Sequence, residues 1–229
     1  MKSKILGVFL TLVVIFNCFA LYSCEKNREY DEAVVKAAAD ELIKKSIGLN
    51  EIFYGKGLSY SDDESKALGP YSPATEEACS RYGIETIDDI KTKTRAVFST
   101  ELSNLMFDTK LSTVYDSDGI IRAYSRYYQK YTDADNPTPE YIMVYTDAVA
   151  QLKDTVTYDY STLSVKGSKG ETVYVEIEVL VLTDDGKSQT KTLEIGLIEE
   201  ADGWRLSTPS YTSYVDLDYY NQLQNKNQK

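Results

Sequence analysis

The stretch LEIGLIEEADGWRLSTPSY, residues 193–211, decides the fold. Leu193, Ile195 and Leu197 alternate with Glu194, Gly196 and Ile198. After Asp202-Gly203 the alternation resumes, with Trp204 and Leu206 set against Arg205 and Ser207. Period-two apolar spacing on both sides of a turn signal predicts two antiparallel strands joined tightly. The glycine of Asp-Gly supplies the left-handed backbone such a turn requires. Trp204 is the single tryptophan of the chain and the expected anchor of the core.

Moving upstream, residues 154–208 read as a meander of at least four strands. Val173, Val175, Ile177, Val179 and Val181 form one apolar face, opposite Thr172, Tyr174, Glu176 and Glu178. Val156, Tyr158 and Tyr160 share one parity while Leu163 and Val165 share the other. A bulge near Ser161-Thr162, curving the sheet, accounts for the switch. Asp184-Asp185-Gly186 closes another hairpin, and Asp116-Ser117-Asp118-Gly119 signals a third turn.

The first half of the body has helical spacing instead. From Asp31, the residues Val35, Ala39, Leu42, Leu49, Ile52 and Phe53 share one face. Gly48 is a candidate interruption, and Gly55 and Gly57 end the pattern. Thr86 opens a second helix with Asp88 and Asp89 in its first turn, and Ser99 or Thr100 opens a third carrying Leu102, Leu105, Met106 and Phe107. Helices first and strands afterwards predict an α+β fold, N-terminal helices packed on a curved antiparallel sheet. Residues 31–214 form one domain and 215–229 a polar tail.

Between the first two helices, residues 59–83 lack periodicity and carry Asp62-Asp63-Glu64, Gly69-Pro70 and Ser72-Pro73. Such a length reads as a functional flap or as disorder. The middle of the chain is rich in tyrosine: Tyr124, Tyr127, Tyr128 and Tyr131 on one expected strand, Tyr141 and Tyr145 on the next. Tyrosine combines rigid contact area with a polar tip, which suits a groove that stacks on sugars or binds a protein. The other source of the enrichment is the preference of half-exposed strands for tyrosine.

Composition narrows the function classes. The chain has 229 residues, 25 basic and 36 acidic, a net charge of -11, and no histidine. Acidity of this size argues against nucleic acid and permits a basic protein partner. Without histidine there is no Ser-His-Asp triad, no Cys-His pair and no imidazole metal site. No Gly-rich phosphate loop or paired CxxC is present, so no cofactor is expected. Carboxylates are plentiful, but no spacing singles out a catalytic pair, and the chain reads as non-enzymatic. Asp116 and Asp118 lack the later ligands of a calcium loop and read as an ordinary turn.

The amino end reads as an export signal. Lys2 and Lys4 precede an apolar run, Ile5 to Ala20, that is short for a membrane span. Leu21-Tyr22-Ser23-Cys24 resembles the bacterial lipobox, which implies removal of residues 1–23 and diacylglyceryl attachment to Cys24. The mature chain would then carry 23 basic and 36 acidic residues, a net charge of -13. Residues 24–30 form the lipidated tether. Cys79 would remain a lone thiol, better suited to partial burial than to nucleophilic work.

The order of Asn50-Glu51-Ile52-Phe53-Tyr54-Gly55-Lys56-Gly57-Leu58, Ile87 to Ser99, Asp118-Gly119 and Asp202-Gly203-Trp204-Arg205-Leu206 resembles the DL-endopeptidase inhibitor (IseA-type) family of Gram-positive bacteria. Its final hairpin is shared with cystatin-like and NTF2-like lipoproteins. The resemblance implies a cell-envelope protein on the extracytoplasmic face of the membrane that occludes the cleft of a peptidoglycan hydrolase. Asp62, Asp63 and Glu64 with Tyr124, Tyr127 and Tyr128 would then form the partner surface. The alternative is an NTF2-like module whose sheet and helices enclose a small-ligand pocket.

Overall fold

The structure is a computed structural model and describes residues 29–115, 121–132, 137–148, 154–183 and 185–211. The leader, Cys24, the turn at residues 116–119 and the tail after Tyr211 lie outside the described residues.

Helix α1 spans Glu32–Phe53. Asp31 caps its start by accepting from the Ala33 and Val34 amides. All six residues expected on its apolar face are buried, together with Ile43, Ser46 and Asn50. The helix runs unbroken through Gly48, which corrects the expected interruption. A Cβ at Gly48 would meet only the Tyr82 ring, at an ordinary 3.5 Å. Helix propensity favours alanine there and packing does not oppose it. Gly48→Ala is therefore expected to raise stability by about 0.5–1 kcal/mol, read from the urea midpoint. A loss of stability would show that the cleft beside Tyr82 has no room for a methyl group.

The segment after α1 is structured rather than a plain loop. A 3₁₀ turn, Glu64–Lys66, leads to strand β1, Tyr71–Pro73, and helix α2, Glu76–Tyr82. The Ser61 amide donates to Pro73 O at 2.8 Å and the Thr75 amide to Ser59 O at 2.9 Å, stitching the segment into an irregular hairpin. Helix α3 spans Ile87–Arg95. Thr86 and Asp89 form a reciprocal capping box. Hydrogen bonds from Glu85 N, Thr86 Oγ1 and Thr86 N hold the Asp89 carboxyl below the usual carboxylate range.

A carboxylate depressed in the folded state stabilises above its unfolded pKa, about 4, and loses that contribution as pH falls through its native value. Asp89→Asn should therefore cost about 1 kcal/mol at pH 7, and the gap to wild type should close below about pH 4. A gap independent of pH would refute the ionic cap.

Helix α4 spans Thr100–Lys110 and is capped by Ser99, whose Oγ accepts from Leu102 N at 3.3 Å. The strands follow as β2 (Val114–Tyr115), β3 (Ile121–Ala123), β4 (Tyr127–Tyr131), β5 (Pro139–Tyr145), β6 (Thr155–Lys169), β7 (Thr172–Leu182), β8 (Ser188–Glu200) and β9 (Gly203–Leu206). They make three antiparallel sheets among the described residues. The meander β6-β7-β8-β9 is the expected one; β1-β5-β4 and β2-β3 stand apart from it. Pro73 lies on an edge strand, where its missing N–H breaks no ladder.

Register shifts between Asp159 and Ser164, where the parity switch places the bulge. All five expected residues of the apolar β7 face are at most 1% exposed, and they share one core with the buried faces of α1, α3 and α4. The molecule is thus α+β, as its segment order predicts.

The closing hairpin holds the layers together through an unexpected residue. Trp204 is only half-buried at the margin of the core, whereas Leu206 is fully buried. Leu206 N donates to Val97 O at 2.9 Å and Ser99 N donates to Leu206 O at 2.8 Å. The α3–α4 link thereby covers the open edge of β9. Arg205 Nε donates to Arg95 O at 2.8 Å, placing a cation at the C-terminal end of α3. Two backbone bonds and one cap tie the sheet edge to the helical layer.

Candidate functional site

The tyrosine-rich strands and the 59–83 segment meet on one face of the β1-β5-β4 sheet. Antiparallel register sets Tyr71 opposite Tyr145, and Met143 opposite both Pro73 and Tyr128. Cross-strand partners share a face, so these residues stand together. Ile142 and Val144 point the other way, into the main core. Met143 is fully buried yet lies outside that core, under the aromatic layer of its own face.

Tyr71 is the hub of this layer. Its ring centroid lies 4.8 Å from Tyr128 in edge-on geometry, 5.6 Å from Tyr145 and 6.1 Å from Tyr124. Tyr124 stacks on Tyr145 at 5.0 Å. Edge-on and stacked pairs at these spacings are the favourable arrangements of quadrupolar rings. Tyr71 Oη donates to Ser125 O at 2.9 Å, which fixes the ring. Tyr124 remains 41% exposed and Tyr145 half-buried, so the layer presents phenol rings to solvent.

Desolvation raises the Tyr128 phenol, with Tyr71 adding to it, and desolvation with Asp147 raises that of Tyr145. Both rings are therefore neutral hydroxyl donors at neutral pH. Beside them, Tyr141 has Lys130 Nζ 5.5 Å and Lys66 Nζ 5.8 Å from its ring centroid. These distances are within cation–π range.

Lys66 links the rings to the acidic residues. Asp63 caps the 3₁₀ turn, its Oδ1 accepting from Ser65 N and Ser65 Oγ, and these bonds lower its carboxyl pKa. Its other oxygen lies 3.9 Å from Lys66 Nζ. Asp62 and Glu64 flank it, and all three are exposed. The structure thus brings Asp62, Asp63 and Glu64 to the border of a face carrying Tyr124 and Tyr128.

Tyr127 does not belong to that face. Its neighbours in β4 alternate outward, and it points into the core with no exposure. There its Oη donates to Ile52 O at 2.8 Å and accepts from Leu58 N at 3.1 Å. Its phenol is pushed up by burial. Tyr131 lies at the exposed end of the strand. Tyr71 and Met143 are the contributors that pattern reading missed. Tyr71 sits between Pro70 and Pro73, and two prolines mask a three-residue strand.

Adjacent to Tyr127, Arg126 is 6% exposed. Its Nη1 donates to Phe53 O at 3.0 Å and its Nη2 to Gly55 O at 2.6 Å, at the C-terminal end of α1. That helix has no basic residue in its own last turn, and Arg126 supplies the cation its dipole favours.

Cys79 is a half-buried free thiol raised by burial, an environment that disfavours the thiolate. Among the described residues no group of three His, Cys, Asp or Glu side chains could hold a metal ion, and no helix is long and apolar enough to cross a membrane. No family model, curated protein or solved structure matches the chain.

Proposed function

We propose that this is a non-enzymatic lipoprotein of the extracytoplasmic membrane face, anchored through Cys24, that binds and occludes a peptidoglycan hydrolase of the DL-endopeptidase type. The observation that carries this reading is the junction of an exposed acidic turn with a fixed tyrosine layer on one sheet face. Rigid aromatic rings make good interface anchors because little rotamer freedom is lost on binding. Carboxylates at the rim steer a basic cleft into register. Catalysis has no comparable support: burial raises the Cys79 thiol, which disfavours the nucleophilic thiolate.

The alternative reading, a small-ligand module, draws support from open clefts along α1. One of about 190 Å³ lies between Asn50, Thr155, Val156, Tyr158 and Tyr211.

The test is digestion of peptidoglycan by a DL-endopeptidase with and without the protein. Replacing Asp62, Asp63 and Glu64 by amides should weaken inhibition, and Tyr124→Ala with Tyr128→Ala should weaken it further with the fold intact by circular dichroism. Inhibition unchanged in both variants removes this surface, and no inhibition by wild type removes the reading. Cys24→Ala should move the protein from the membrane to the soluble extracytoplasmic fraction, whereas continued membrane association would point to an uncleaved leader.

A further inference from the structure

Ile47 and Asn50 are placed against type on one stripe of α1. Residues at this helical spacing are surface neighbours, yet Ile47 is 47% exposed and Asn50 only 4%. Both line the cleft of about 190 Å³ between α1 and β6. An apolar side chain in solvent beside a buried polar one reverses the usual preference.

Counting protons fixes the Asn50 amide. Ser46 Oγ donates to Ile43 O at 2.7 Å, which uses its single proton. In the 2.6 Å contact between Ser46 Oγ and Ser210 Oγ, the proton therefore comes from Ser210. Ser210 Oγ is left to accept, and Asn50 Nδ2 donates to it at 3.0 Å. Turning the amide round would exchange these three bonds for two, Ser46 to Ser210 and Ser210 to Oδ1. The better network leaves Oδ1 as a buried acceptor with no hydrogen-bond partner. The Tyr158 hydroxyl in the same wall already donates to Ser210 O. A buried acceptor left unmade is costly, and native folds seldom keep one without a use.

The charged groups of the cleft wall are Glu51 and Asp154, and no cation lines it. Glu51 Oε1 accepts from Lys56 N at 2.9 Å, a bond that leaves its negative charge in place. Neither carboxylate is ion-paired among the described residues. The local field therefore favours a positive head.

We infer that this cleft binds a small primary amine, its ammonium donating to Asn50 Oδ1 and its apolar body lying along Ile47 and Val156. The inference rests on the small-ligand reading of the same cleft and names the chemistry of the ligand. One molecule of this kind supplies the donor that Oδ1 lacks and covers the exposed Ile47. The cleft is smaller than a drug-sized site, which suits a short chain.

The experiment is NMR titration of the chain from Glu25 to Lys229, which carries the whole described core, at neutral pH. Hexylamine, protonated there, is compared with hexanoate and with neutral hexanol. Hexylammonium should move the Asn50 side-chain amide and the Ile47 and Val156 methyl signals. It should bind at least about tenfold more tightly than hexanoate, a preference that salt weakens. Asn50→Leu, similar in size but without the acceptor, should lower its affinity about tenfold. Ser210→Ala removes the same internal bond from the amide but keeps Oδ1, and should leave affinity nearly unchanged. That pair separates a lost ligand contact from a loosened fold.

Equal affinity for hexylammonium and hexanoate, or hexylammonium binding unchanged by Asn50→Leu, overturns the inference while the small-ligand reading stands. If none of the three probes moves the cleft signals, both fall. The probe ranking on the unaltered chain decides even where a variant fails to fold. Inhibition of a hydrolase is read separately.

Discussion

Gly57→Ala is expected to cost about 3–5 kcal/mol, because three penalties fall on one atom. Gly57 has φ +78°, in the left-handed region, where a Cβ is itself unfavourable. That Cβ would stand 2.6 Å from Arg126 Nη2 and closer still to Tyr127 Oη. Neither group can yield without giving up buried hydrogen bonds to the end of α1. Gly69 supplies the control: its φ is +58° but a Cβ there meets nothing within 4 Å. Gly69→Ala should cost only the conformational part, about 1–2 kcal/mol. Urea unfolding of both variants separates strain from collision, and equal losses would show that the Arg126–Tyr127 cluster gives way freely.

The second large effect concerns the closing hairpin. Leu206→Ala should cost about 3–4 kcal/mol, since the side chain is fully buried between the meander and the α3–α4 link. Trp204→Ala removes a larger side chain but one only partly buried at the margin of the core, and about 2 kcal/mol is expected. This ranking reverses the one that residue size suggests. A greater loss at Trp204 would mean that the indole carries the packing after all.

The contrast shows where sequence reading reaches and where it stops. Period-two alternation in Val173 to Val181 and period 3.6 in Val35 to Phe53 each put a whole face in water or out of it, so the patterns translate directly into buried faces. Parity does not say how deep a residue lies, and Trp204 and Leu206 share a parity at different depths. The bulge at Ser161-Thr162 was legible because it breaks parity within one strand.

Pairing between distant strands was not. Nothing local to Tyr71 says that it lies opposite Tyr145, so the aromatic layer was half visible as an excess of tyrosines and half hidden among prolines. Tyr127 and Tyr128 are neighbours that face opposite ways, and only the register of β4 on β5 decides which is surface. A similar blindness split the expected single sheet. Alternation identifies strands, but hydrogen-bond partners assign them to sheets, and β5 found its partners in β1 and β4.

The Arg126 cap has a consequence for the order in which the molecule is assembled. Its bonds to Phe53 and Gly55 span 73 and 71 residues of chain, and that of Tyr127 to Ile52 spans 75. Contacts of such separation must overcome the entropy of closing a long loop before they contribute. A nascent chain that has emerged only as far as α4 has the local bonds of Tyr54 N and Gly55 N to Asn50 O, but not the Arg126 cap on Phe53 O and Gly55 O. Among the described residues the first helix is therefore completed by a residue from the middle of the chain, and truncation before residue 126 should leave α1 frayed at its C-terminal turn however complete the three helices after it.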